Sequence, residues 1–237
     1  MRTHRAYTHP MTVTRAAARQ ALRERLGDAG PDASNAYRDA ELNRWLNEGC
    51  RDVARQAEIL QTTTDVDVTA GDAQYDMPAD MVRCTRVDFI ADSEGRSRTL
   101  EYKAFHNANA VTWVNDSEGM PALYTVWGTP GSAKLIMYPT PAYTGTVSIH
   151  YYRLPAEPTS DTDLLDLPVG WEDTAYLYAE YLALRRDRDP RWQEALQLYK
   201  DTLGAMYDLT RQHSDQATEV TGLMDPSGLP SWLTDFD

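Results

Sequence analysis

Cysteine and lysine are scarce in this chain, and its apolar residues never run together for long. Its 237 residues include two cysteines, Cys50 and Cys84. Two thiols in a chain of this length make no disulfide framework, so the fold has to rest on an apolar core. Both are read as buried free thiols, the first in a helix and the second in a strand. Of the 23 basic residues, only Lys103, Lys134 and Lys200 are lysines, a bias that suits a GC-rich genome better than a chemical role. No stretch approaches the ~18 apolar residues of a membrane span. The opening MRTHRAYTHPMTVTRAAARQ carries charge but no apolar signal-peptide core. The expectation is a soluble chain without membrane contact, made in the cytosol.

Catalytic motifs are missing as well. There is no glycine-rich phosphate loop, no GxSxG elbow, no HExxH helix and no CxxC pair. His4 and His9 lie in a basic opening segment, and His106, His150 and His213 are scattered, each read as structural or solvated. Asp161, Asp163 and Asp166 lack the glycine and closing glutamate of a calcium loop, so they read as a solvated acidic linker. No catalytic, cofactor-binding or metal-binding residue is nominated, and the chain is not expected to be an enzyme.

The charge of −13 is unevenly placed. Residues 1–60 carry 10 basic groups against 8 acids, residues 61–155 carry 7 against 11, and residues 156–237 carry 6 against 17. No basic stripe interleaves with aromatics, which argues against tight nucleic-acid binding. An acidic wall would instead let DNA slide past without sticking.

Hydrophobic content of 42% with 10% aromatic residues supports a real core. Residues 1–10 read as a flexible arm. A helix is predicted over about Thr12–Leu26, capped by Thr12 or Thr14 and stopped at Gly27, with a thin apolar face. A second begins near Asp39, a plausible N-cap, and its seam is Leu42, Trp45, Leu46, Gly49, Val53, Ala57 and Leu60. Gly49 in that seam would admit a partner backbone closely. Its other face, Arg44, Glu48, Arg51, Asp52 and Arg55, reads as solvated or inter-subunit charge.

At Gln61 the period changes to two. Thr62, Thr64, Val66 and Val68 alternate with Thr63, Asp65, Asp67 and Thr69, the latter set being the wet side. Further strands are predicted at 73–77, 82–91, 97–101, 123–127, 133–138 and 146–153, with a short helix within 102–113. Short strands with hairpin-length links predict an antiparallel sandwich or barrel.

After the Pro- and acid-rich 154–168, Pro168 suits the first turn of a helix over about 169–186, whose stripe is Trp171, Ala175, Tyr178, Leu182 and Arg185, with Leu177, Tyr181 and Leu184 beside it. Asp189-Pro190 opens the next helix, with Trp192, Ala195, Leu196, Tyr199, Leu203, Met206 and Thr210 along its seam. The predicted fold is α+β: a helical bundle with an inserted antiparallel β-sandwich or barrel-like module and an extended C-terminal tail. Its parts are an arm at 1–10, helical segments at 11–60 and 156–213, the β-module at 61–155 and a tail at 214–237. The helix-packing core is Leu42, Trp45, Leu46, Val53, Trp171, Tyr178, Trp192, Leu196 and Tyr199. Leu229, Trp232, Leu233 and Phe236 sit among acids in the tail, a pattern that favours ordering against a partner.

The run DAELNRWLNEGCRDVAR from Asp39 to Arg55, Tyr75–Asp80 in the β-module, Leu135–Pro139, Tyr151–Arg153 and Asp166–Asp173 come in an order that resembles the head-to-tail adaptor proteins of tailed bacteriophages, over about residues 12–212. The resemblance implies a structural protein of the virion neck. It implies a ring, commonly of twelve copies, beneath the portal protein ring, extending the channel for passing double-stranded DNA, without sequence-specific binding, and docking a downstream tail or nozzle protein. The helical part would build the ring and the β-module would face outward or toward tail components. Leu229, Trp232, Leu233 and Phe236 would bind the portal.

Two other classes remain open at this stage. One is a carbohydrate-binding β-module on a helical stalk, using Trp113, Trp127 or Tyr143 as platforms, although burial of those aromatics is the expectation. The other is a metal-dependent hydrolase built on the acids from Asp161 to Asp173.

Overall fold

The computed structural model describes residues 13–29, 36–92, 95–104, 117–129 and 131–215. The arm at 1–10, the tail beyond residue 215 and most of the short helix predicted within 102–113 lie outside them.

Helix α1 (Arg15–Leu26) begins where Thr14 accepts the Ala17 N–H on its hydroxyl and ends where Gly27 turns left-handed at φ 71°. It buries Ala18 and Leu22. Helix α2 (Asp39–Ala57) starts one residue earlier than an Asp39 cap would allow. Arg38 is the flanking residue, and the Glu41 carboxylate reaches back to its N–H at 3.2 Å, so Asp39 sits in the first turn beside the helix dipole. The helix stops at Glu58 (φ 50°), which leaves Leu60 beyond it.

Ten strands follow: β1 (Gln61–Val68), β2 (Gln74–Asp76), β3 (Met81–Ala91), β4 (Ser97–Thr99), β5 (Glu101–Tyr102), β6 (Glu118–Gly119), β7 (Leu123–Trp127), β8 (Lys134–Tyr138), β9 (Thr140–Pro141) and β10 (Gly145–Arg153). They form two four-stranded sheets, ordered β1-β10-β3-β4 and β2-β8-β7-β5, and a β6-β9 pair. One apolar cluster draws Val87, Phe89, Val147 and Ile149 from the first sheet and Tyr124, Leu135 and Met137 from the second.

Two expectations need correction. The sheets do not close into a barrel, because β2, β4 and β5 have two or three residues and cannot carry pairing around a ring. Nor is the pairing all antiparallel. β5 runs parallel to β7 and β6 parallel to β9, since each pair is joined by a longer excursion of chain instead of a hairpin.

Helix α3 (Glu172–Arg186) starts later than Pro168. Pro168 opens a turn, its carbonyl accepting the Trp171 N–H, and Gly170 at φ 90° keeps the chain out of the helix until Glu172. Helix α4 (Trp192–Asp215) is entered as expected through Asp189-Pro190, with the Asp189 carboxylate accepting the Arg191 N–H. The single stripe predicted for α3 is too narrow. The helix packs against α1, α2 and α4 and buries Ala175, Tyr176, Leu177, Ala179, Tyr181, Ala183 and Leu184 around most of its circumference. At its closest approach, a Cβ on Gly49 of α2 would lie 2.6 Å from the Ala175 carbonyl oxygen.

Candidate functional site

With no reaction centre nominated, the surfaces that make joints carry the function. The first joint lies where the helices meet the sheets. Asp166 is buried and holds Arg153, the last residue of β10, through both guanidinium NH groups, and also accepts the Ala156 N–H at 2.7 Å. Burial pushes its carboxyl upward, but the Arg153 and Ala156 hydrogen bonds outweigh that and hold it below the usual carboxylate range. Arg153 in turn gives its backbone N–H to Leu60, so one side chain ties the 154–168 segment to the strand leaving α2. Nearby, Arg83 of β3 pairs with Glu58 at the end of α2.

The acidic segment is therefore solvated only in part: Asp166 is buried, whereas Asp161 and Asp163 stay at the surface but are held by hydrogen bonds. Asp161 lies between Arg15 and Arg19 of α1, at 2.9 and 2.8 Å, and their hydrogen bonds hold its carboxyl well below the ordinary value. Asp163 accepts from the backbone and hydroxyl groups of Ser160 and Thr159, a turn that depresses it likewise. Each carboxylate is committed to a different neighbour. Among the described residues no group of three or more His, Cys, Asp or Glu side chains is gathered as metal ligands would be.

Of the nominated packing residues, Leu42, Trp45, Leu46, Val53, Trp171 and Tyr199 are buried, while Tyr178, Trp192 and Leu196 are partly exposed. Tyr178 touches Tyr199 edge-on at 5.1 Å, and Tyr181 lies 6.2 Å from Trp192. Tyr199 donates its hydroxyl to Asp52, so that member of the charged face of α2 is an internal partner of α4. Burial and that carboxylate push the Tyr199 phenol upward. Arg51 pairs with Glu157, and Arg44 with Glu48 one turn along. Leu229, Trp232, Leu233 and Phe236 lie outside the described residues.

Two further expectations change, those for the cysteines and for the aromatic platforms. Cys50 is buried, its thiol pushed up to about 12 by that burial, but Cys84 is only partly covered and sits 3.9 Å from the Tyr124 hydroxyl. Trp127 and Tyr143 are exposed, at 51% and 38%, and Trp113 lies outside the described residues. His150 bridges strands, with Nδ1 2.8 Å from the Thr63 hydroxyl and Nε2 3.1 Å from Asp88.

The remaining surface of note is α4. Asp161, Asp166, Asp187, Asp189, Glu157 and Glu180 are all engaged by Arg or Tyr side chains. Glu194, Asp201 and Asp208 are exposed, are in no ion pair among the described residues, and follow one another at seven-residue spacing. That spacing stacks them along one helix face, about 10 Å apart. Sequence reading located the acid in this third but not the row, although the spacing was there to be counted.

Among the described residues the interior is given to joints and packed helices, and no cluster of reactive side chains is gathered. The family description "SU10 adaptor protein" matches residues 11–223. This chain belongs to that family of adaptor proteins. No curated protein matches it. Among solved structures, it is similar to a chain in "Neck of empty GTA particle computed with C6 symmetry", at 17% identity and a TM-score of 0.28, over 73% of this chain and 82% of that one. A likeness that loose carries no argument here.

Proposed function

We propose that this adaptor assembles as a ring, commonly of twelve copies, beneath the portal ring of the capsid. There it extends the channel for double-stranded DNA and offers a docking surface to a downstream tail or nozzle protein. Membership of the adaptor family over residues 11–223 is the observation that carries the reading. In it the helical segments, 11–60 and 156–213, form a bundle that builds the ring. The β-rich 61–155 is a sandwich-like insertion facing outward or toward the tail, and the chain is made in the host cytoplasm before joining the virion.

The row Glu194, Asp201 and Asp208 supports a channel wall on α4, because carboxylates repel the phosphate backbone and keep passing DNA from sticking. Leu229, Trp232, Leu233 and Phe236, in the tail at 214–237, are the proposed portal anchors. Large apolar groups among acids gain by ordering on a partner surface, and repetition around a ring turns weak single contacts into avidity.

Co-sedimentation with the portal ring of the same virus, using the full chain and a version ending at His213, tests both parts. Binding by the full chain alone, with a coaxial ring added in electron micrographs, is the expected result. Binding by both versions removes the anchoring role from the tail, and binding by neither removes the portal-ring reading.

A further inference from the structure

The first sheet is left open along β1. Strand β1 pairs with β10 on one side, and no strand lies on its other side among the described residues. The Leu60 carbonyl accepts the Arg153 N–H, which fixes the phase of the ladder. Thr62, Thr64, Val66 and Val68 therefore direct their backbone groups at β10, and Gln61, Thr63, Asp65 and Asp67 direct theirs away from the sheet. This is an eight-residue edge with no proline and, among its registered pairs with β10, no bulge. Such an edge is a template for another strand unless something covers it.

Charge separates three candidate occupants, the same edge of a second copy and the two terminal segments of the chain. A second β1 edge would set Asp65 and Asp67 against their own copies, which like charge disfavours. The C-terminal segment 216–237 carries four acids and no basic residue and is disfavoured for the same reason. The segment before Pro10 carries Arg2 and Arg5, no acid, and the strand-forming Thr3, Tyr7 and Thr8. A proline favours an extended residue before it and cannot donate to a ladder, so Arg2–His9 would match the eight residues of β1 in length. Its root is fixed, because the Val13 carbonyl accepts the Leu165 N–H at 2.9 Å and the Arg15 N–H goes to Asp163.

We infer that the basic segment Arg2–His9 of one copy adds as a strand to the β1 edge of the neighbouring copy, with Arg5 on the same face as Asp65. Each chain then gives one strand and receives one. A head-to-tail contact of this kind closes into a ring, whereas a symmetric contact stops at a dimer. The inference rests on the ring reading above, and it supplies the bond between copies.

The test places Tyr7→Cys and Thr63→Cys together in a Cys84→Ser full chain, assembles it on portal rings, and oxidises it. A ladder of disulfide-linked multimers in denaturing gels is the expected result. Cross-linked monomers alone would show that the arm folds on its own subunit and would overturn the inference. Intact rings without any cross-link, at this pair and at Arg5→Cys with Asp65→Cys, would overturn the pairing and leave the ring reading standing. Absence of rings with the uncross-linked wild-type chain would remove the ring reading and this inference with it. As a second measurement, Asp65→Arg with Asp67→Arg should lower ring yield at least tenfold while the monomer stays folded, losing only the exposed hydrogen bond that Asp65 accepts from Ser148. Adding Arg2→Asp and Arg5→Asp should restore that yield, and no restoration counts against the pairing.

Discussion

The Tyr199 hydroxyl of α4 is bonded to the Asp52 carboxylate of α2, across a sequence separation of 147 residues. It fastens the long last helix to the second, with α3 packed on both. A hydrogen bond to a charged group contributes about 1.5–3 kcal/mol, and Asp52 stays behind half-covered when its donor goes. Tyr199→Phe should therefore lower stability by about 2 kcal/mol in chemical denaturation. Leu198→Ala, one residue away and exposed, should stay within about 0.5 kcal/mol. Equal effects would mean that the hydroxyl contributes nothing.

Gly49 supplies a second test of the same helix pair. A Cβ there meets the Ala175 carbonyl at 2.6 Å, and backbone cannot swing aside as a side chain can. Alanine gains about 1 kcal/mol of helix propensity over glycine, while overpacking costs about 1–3 kcal/mol. Gly49→Ala should be net destabilising, and Gly49→Val more so by several degrees in Tm. A stabilised alanine variant would show that α2 and α3 separate freely.

Gly49 also marks how far the sequence could be read. Three-four spacing located α2, and the mismatch of a glycine in an apolar seam pointed to a close helix contact before any partner was known. The stripe on α3 was less legible, because a helix surrounded on three sides has no single wet face for periodicity to detect. The acidic 154–168 segment misled for another reason. Asp161 and Asp166 have their partners in Arg15, Arg19 and Arg153, and for the first two that pairing spans more than 140 residues, which local composition cannot report. Strand positions were close because β-branched residues and turn signals are local. Closure of the sheets is a property of their shortest strands, which composition barely records.

Asp166 makes acid stability a readout of the joint between helices and sheets. Its folded carboxyl lies below the ordinary value of about 3.9, so its contribution is complete above that value and is lost as pH falls through the lower folded one. Asp166→Asn should cost about 3 kcal/mol at pH 7 by leaving Arg153 without its partner. It should also flatten the fall in stability below about pH 4. Parallel curves for the variant and the wild type would mean that the pair adds nothing to folding.

Reversing the acid row tests the proposed channel wall without disturbing the fold. Glu194, Asp201 and Asp208 are exposed and in no ion pair among the described residues, Asp201 accepting only the Gln197 amide one turn away, so lysine at all three should leave melting within about 1 kcal/mol of the wild type. On a ring the change adds six positive units per copy to one wall, and cations there hold phosphates where carboxylates repelled them. Necks built from Glu194→Lys, Asp201→Lys and Asp208→Lys chains should assemble in normal yield and slow DNA release severalfold. Raising the salt should restore the rate, because screening shortens to about 3 Å at 1 M. Slow release that salt does not relieve would point to a steric fault, and unchanged release would place the row away from the DNA path.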